Sequence, residues 1–386
     1  MDLISNTHDR QQSQRGQVGF LDGFGRLKTS GPYTLFDSQN RYSINNKFYS
    51  NVSGSGSVTY LESESSVLLN LSGTANVIRE TKNVFAYQPG KSLLILNSFV
   101  MSSSNACVQR VGYFNNSNGV YVERASDGVV SFVIRNNGVE EKVPQTQWNT
   151  NKCPGLKFEK SQLFWLEIEW LGVGTVRAGF VIDGVFITAH AFHHANRVNA
   201  VYMTTAILPV RYEISGTSGS MKQICTTVIS EGGYDQRLPL FTQVRGTTNA
   251  TMVNLNTAGV NYPIISIRLT AGRFDSIVRL KFIDIISTAA DNVTWYVFQN
   301  PTLTNASWVP HSNSTIIEVD TSATAVSGGI IIFSGYLFQK TTIQVPILDI
   351  DMTIGRTNLA SDVFSLVVSG FTSDAKVGGM LSWIEI

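Results

Sequence analysis

Glu167 and Glu169 stand two residues apart in "LFWLEIEWLGVGTVRAGFVIDGVFITAHAF", residues 163–192. On a strand, positions i and i+2 share a face, so both carboxyls project from one side with Trp165 beside them. Retaining glycoside hydrolysis uses two carboxyl groups about 5–5.5 Å apart, and strand neighbours at i and i+2 are about 6.5–7 Å apart. The next position on that face is Leu171, which carries no acid. The expectation is therefore the solvated outer face of an amphipathic strand, and no catalysis.

His190, His193 and His194 follow closely. Alternation puts His190 and His194 on the face of Phe192 and His193 on the other. Two histidines without a nearby cysteine or committed carboxylate make a poor tetrahedral set, so no metal is expected and the run reads as a polar strand end or subunit contact. Asp349 and Asp351 alternate in "ILDIDM", whereas calcium takes six or more oxygens. The three cysteines, Cys107, Cys153 and Cys225, lack CxxC spacing and read as buried free thiols. "GFGRLKTSG" lacks the GK[ST] ending of a phosphate cradle, and there is neither a GxSxG nor a dinucleotide fingerprint. No cofactor is expected.

The elements that hold these residues are short β-branched or aromatic runs, such as "SVLLNLS", "SLLILNSFVM" and "VVSFVIRN". "SDGVV" and "NNGVE" mark two-residue hairpins, because glycine accepts positive φ. The fold class is all-β: two β-sandwich, jelly-roll-like domains preceded by an extended N-terminal arm. The arm spans 1–50. Aromatics recur through "GFLDGFGRLKTSGPYTLFDSQNRYS" without strand or helix rhythm, and Phe20, Phe24, Arg26, Tyr33 and Phe36 are its candidate assembly residues. It would dock on a neighbouring subunit or on the chain's own sandwich. The first sandwich is placed at 51–220. The second is placed at 221–386, with 215–234 as a strand crossing between the two.

Charged residues are 15% of the 386-residue chain and the net charge is +1, against about 25% charged in a typical soluble domain. A neutral polar surface suits packing against neighbours. No run of Lys or Arg tracks a phosphate backbone, so nucleic acid is not an expected partner. "MDLISNTHDRQQSQRGQ" has no apolar core and no later stretch approaches a membrane span, so neither a secretory leader nor a span is expected. Asn-x-Ser/Thr triplets, at Asn51, Asn70, Asn249 and Asn292 among others, read as products of an Asn-rich sequence.

The meander "GVYVERASDGVVSFVIRNNG" and the tryptophan-led strand, turn and "VIDGVFI" resemble laminin-G-like and concanavalin-like jelly rolls over residues 50–215. Glycosidases of that fold place carboxylates at three alternate strand positions, a pattern that Leu171 breaks here. "GFGRLKTSGPYTLFDSQNRY", "VIRETKNVFAYQPGKSLLILNSFVM", "RVGYFNNSNGVYVE", "FWLEIEWLGVGTVRAGFVIDGVFITAHAFHHANRVNAVYMTTAILPVRYEI" and "MKQICTTVISEGGY" together resemble a family of virion structural proteins of tailed bacteriophages, common in phages of cyanobacteria and other aquatic bacteria. The resemblance runs in order from about 20 to 235. It implies a place in the virus particle, assembly in the host cytoplasm, and no enzymatic activity. The simplest role is an oligomeric fibre or fibre-base protein attached through its arm to other virion proteins, with a trimer favoured. A capsid decoration or cement protein is the close variant. A lectin-like module binding host surface glycan is the alternative, with Trp165, Trp295 and Trp308 as its candidate contacts.

Overall fold

The computed structural model describes residues 31–171, 173–233, 240–273, 276–288, 291–314, 316–352, 361–373 and 375–385, with 348–352 described as backbone. The chain divides into two compact units at 235/236. Unit 1 carries β1 (Tyr33–Gln39), β2 (Phe48–Leu61), β3 (Ser66–Thr81), β4 (Phe85–Ala86), β5 (Leu93–Met101), β6 (Cys107–Phe114), β7 (Gly119–Arg124) and β8 (Val130–Asn136). It continues with β9 (Val139–Pro144), β10 (Gln162–Ile168), β11 (Thr175–Ile182), β12 (Val185–His193), β13 (Ile207–Leu208), β14 (Val210–Gly216) and β15 (Gly219–Ser230). Unit 2 carries β16 (Leu240–Arg245), β17 (Val253–Leu255), β18 (Tyr262–Leu269), β19 (Val278–Ser287), β20 (Val293–Gln299), β21 (Thr302–Thr304) and β22 (Val309–Pro310). Its remaining strands are β23 (Ile317–Asp320), β24 (Ala325–Ser327), β25 (Ile330–Leu337), β26 (Thr342–Met352), β27 (Val363–Gly370) and β28 (Ala375–Glu385).

The protein is all-β, and both units are jelly-roll-like β-sandwiches. In unit 1 one hydrogen-bonded sheet, ordered β12-β11-β10-β5-β15-β3-β14-β6-β7-β8-β9, curls over on itself. β3 is the joint. Its first half pairs with β15 at Val67–Leu71, and its second half pairs with β14 at Ala75–Glu80. The partner strand β2 carries a bulge between Gly54 and Gly56 beside this joint. Gly54 has φ +79°, and a Cβ there would lie 2.2 Å from the Thr74 carbonyl oxygen, so only glycine fits.

The core sits between the two curled halves. Phe132 of β8 lies 5.7 Å from Phe164 of β10 and 4.2 Å from Trp148, and Phe164 lies 5.6 Å from Phe180 of β11. All four side chains are buried, and aromatic groups of this size dominate core energetics. In unit 2 the sheets β16-β28-β19-β26 and β22-β23-β18-β27-β20-β25 share a core that includes Leu280, Ile283, Trp383, Ile267, Val297 and Leu366.

Two expected boundaries are corrected. Tyr33 and Phe36, placed in the arm, belong to β1, which runs antiparallel to β15 inside unit 1. Phe36 is buried there against Phe48 and Phe85, with ring centroids 5.7 and 5.3 Å away, while Tyr33 is exposed. Tyr33 and Phe36 are out of alternation because β1 bulges between Thr34 and Phe36. The stretch expected to cross between domains, 215–234, is largely β15, whose edges are taken by β5, β3 and β1. Phe20, Phe24 and Arg26 lie outside the described residues.

Candidate functional site

β10 points Phe164, Leu166 and Ile168 into the core, so Trp165, Glu167 and Glu169 share the opposite side. That side is not solvated as expected: Glu167 is 1% exposed and Glu169 is fully buried. In register, Glu167 sits opposite Arg177 of β11, and a guanidinium nitrogen lies 2.7 Å from its carboxylate. A buried carboxylate needs such a partner, because desolvation of an isolated charge is prohibitive. Trp165 is opposite Gly179 and fully buried, with the Phe186 ring 5.8 Å away. A Cβ on Gly179 would come within 1.9 Å of the Ile187 carbonyl oxygen and 2.9 Å of the Trp165 ring. Glu167, sealed in this way and paired with Arg177, is placed to hold β10 to β11.

The histidines continue the same corner. His190 is buried with its ring 4.4 Å from Phe192, and its Nδ1 accepts a hydrogen bond from the Asn149 N–H at 3.2 Å. Burial, with a smaller contribution from His193, holds its pKa down at about 4. His194 stacks on Tyr202 at 3.9 Å and pairs its Nδ1 with the Gly174 carbonyl at 2.8 Å, while burial lowers its pKa. Tyr202 donates to the Glu169 carbonyl at 2.6 Å. His193 is exposed, on the other face as alternation predicts. Among the described residues no group of three or more His, Cys, Asp or Glu is gathered as a metal site would require.

A feature not foreseen lies on the outer face of the other half of the sheet. Arg211 binds Glu80 at 2.7 Å and Glu213 at 3.4 Å. Arg110 joins Glu213 at 2.6 Å to Glu123 at 2.7 Å. Lys142 joins Glu123 at 2.7 Å to Glu140 at 2.9 Å, and Arg135 closes the ladder on Glu140 at 2.5 Å. Four acids and four bases thus alternate from β3 to β9, with Arg135 and Arg211 over the Phe114 ring. Burial alone would raise the Glu140 pKa, but hydrogen bonds from Lys142, Arg135 and Tyr121 outweigh it and hold the group at about 2. The signal was present as acid and base at alternate positions in "EEK" (Glu140 and Lys142) and "RYE" (Arg211 and Glu213). Registers between distant strands were needed to join them.

The tryptophan contacts are also redistributed. Trp165 is sealed, and Trp295 is 4% exposed within the unit 2 core, so neither offers a ring face to solvent. Trp308 is half-buried with the Arg268 guanidinium 4.4 Å over its ring, and Arg268 is itself bound to Glu318 at 2.6 Å. Exposed apolar surface lies elsewhere in unit 2: Ile330, Ile331 and Tyr336 of β25, with Phe338 and Phe371, are each more than half exposed. Tyr336 and Phe371 touch at 6.2 Å between ring centroids. No helix among the described residues is long and apolar enough to cross a membrane.

No family model and no curated protein matches this chain. Among solved structures it is similar to a β-glucanase of Bacillus licheniformis (9% identity, TM-score 0.36, covering 52% of this chain and 98% of that one). It is also similar to the carbohydrate recognition domain of Emp47p (10%, 0.36, 51% and 95%) and to a protein of unknown function from Shewanella oneidensis MR-1 (8%, 0.35, 61% and 99%). At these scores the likenesses carry no argument about chemistry.

Proposed function

We propose that this chain is a structural component of a tailed-phage virion, most simply an oligomeric fibre or fibre-base protein attached through its N-terminal segment. The observation that supports the reading is where polarity is spent. The ion pairs of unit 1 close on each other along the ladder and at Glu167–Arg177, whereas apolar side chains are left exposed along β25 of unit 2. Several large apolar side chains left exposed on and beside one strand suit a surface that packs against another protein. The phage-family resemblance over residues 20–235 supplies the particle. No catalysis belongs to this reading, because both glutamates are buried and Glu167 is tied to Arg177. The test is to purify the particles of the encoding phage on a density gradient and quantify peptides of this chain. A fixed copy number per particle is expected, and absence from intact particles would overturn the proposal.

A second reading, recognition of host surface glycan, rests on Trp308, which is half-buried and carries a cation over its ring. It requires that Trp308→Ala abolish glycan-array binding while leaving the fold intact. No binding by the native chain would remove it.

A further inference from the structure

The edges of the sheets are not treated alike. β9, at one end of the unit 1 sheet, carries Glu140, Glu141, Lys142 and Pro144. β22 carries Pro310, and β26 carries Pro346, Asp349 and Asp351. Charges and prolines on an edge strand prevent another chain from adding to it. β25, the terminal strand beside β20 among the described residues, has neither. β2 and β12 lack them too, but their exposed side chains are mainly small or polar, whereas those of β25 are mainly large and apolar. No charged residue or proline occurs anywhere between Asp320 and Lys340. Its side chains are also the exposed ones: Ile330 at 66%, Ile331 at 51% and Tyr336 at 67%.

We infer that β25 is a homotypic pairing edge, on which the β25 strand of a second copy of this chain adds antiparallel about a two-fold axis. The deduction rests on the assembly reading above and names its contact. A second copy is the occupant that the pattern selects, because a joining strand must be uncharged, unguarded and apolar on its exposed side, and β25 supplies that complement. The pairing is self-complementary: reversal places the isoleucine end of one strand against the tyrosine end of the other, a β-branched–aromatic match. The added ladder satisfies the outward backbone groups of both strands and covers Ile331 and Tyr336. Two-fold pairing builds even-numbered oligomers, so mass alone separates it from a trimer.

The experiment is light scattering on the purified full chain, on Ile331→Lys and on Tyr336→Lys, with circular dichroism to confirm the fold. An even multiple of 42.4 kDa is expected for the native chain, and at least a tenfold weaker association for each lysine variant. Ser334→Cys, near the centre of the strand, is expected to form a disulfide-linked dimer under mild oxidation. It carries the test should the lysine variants fail to fold. A monomeric native chain, a trimer, or lysine variants that keep the native mass would overturn the inference. The particle assay for the virion reading is decided independently.

Discussion

At the scale of single residues, burial assigns roles that residue type leaves ambiguous. Arg177 faces a carboxylate that is 1% exposed, so Arg177→Met should strand a charge and destabilise unit 1 by about 3 kcal/mol. Urea denaturation followed by tryptophan fluorescence would measure it. His190 makes a pH prediction whose sign follows from its protonation. Its folded pKa of about 4 lies below the ordinary value of 6.5, so the unfolded chain binds more protons between those values. Stability is therefore fully present above about pH 6.5 and lost as pH falls toward 4, by on the order of 2–3 kcal/mol at about 1.4 kcal/mol per pH unit. In a thermal-melt series, His190→Gln is expected to flatten this slope, and an unchanged slope would assign the acid lability to other groups. Residue-scale reading from sequence succeeded for His193, which alternation places on the face away from Phe192 and which is exposed there. It failed for Glu167, because a charge on the outer side of a strand looks solvated until its covering and its partner are known.

At the scale of elements, the ladder explains how a chain with few charges uses them. Arg110 lies between Glu213 and Glu123, both nearly buried, so Arg110→Met should cost about 3–5 kcal/mol by leaving two acids short of a partner. Lys142 reaches Glu123 from a side chain that is 41% exposed, so Lys142→Met should cost about 1 kcal/mol or less. Equal losses in chemical denaturation would mean that the rungs do not act by burial. The hairpins that carry these rungs were legible, with Gly128 and Gly138 each at φ +84°. "NNGVE" makes the expected two-residue turn between Asn136 and Val139, while "SDGVV" turns through a longer loop, 126–128, inside the Ala125–Val129 hydrogen bond. What sequence could not supply was the pairing of β14 with both β3 and β6, since registers between strands about a hundred residues apart depend on the whole sheet. The same limit hid the place of β15, expected as a crossing strand, inside the unit 1 sheet. A strand rich in Thr, Ile and Val reads as a connector until its neighbours are known.

At the scale of the whole molecule, all pairings of β1–β15 close within unit 1, so residues 31–235 should fold without the rest of the chain. The expected outcome is a single cooperative thermal transition with a β-sheet circular dichroism spectrum. A version starting at residue 51 tests the boundary that composition suggested. It removes β1 and the first three residues of β2, takes both Phe36 and Phe48 from the core beside Phe85, and bares the stretch of β15 from Cys225 to Ser230. Loss of a buried phenylalanine alone costs about 3–5 kcal/mol, a large fraction of the 5–15 kcal/mol that holds a domain folded. The shorter version should therefore melt well below the longer one and aggregate through its opened edge. Matching melting curves would mean that β1 adds little to the sandwich. The segment before residue 51 would then be free to serve as an attachment arm along its whole length.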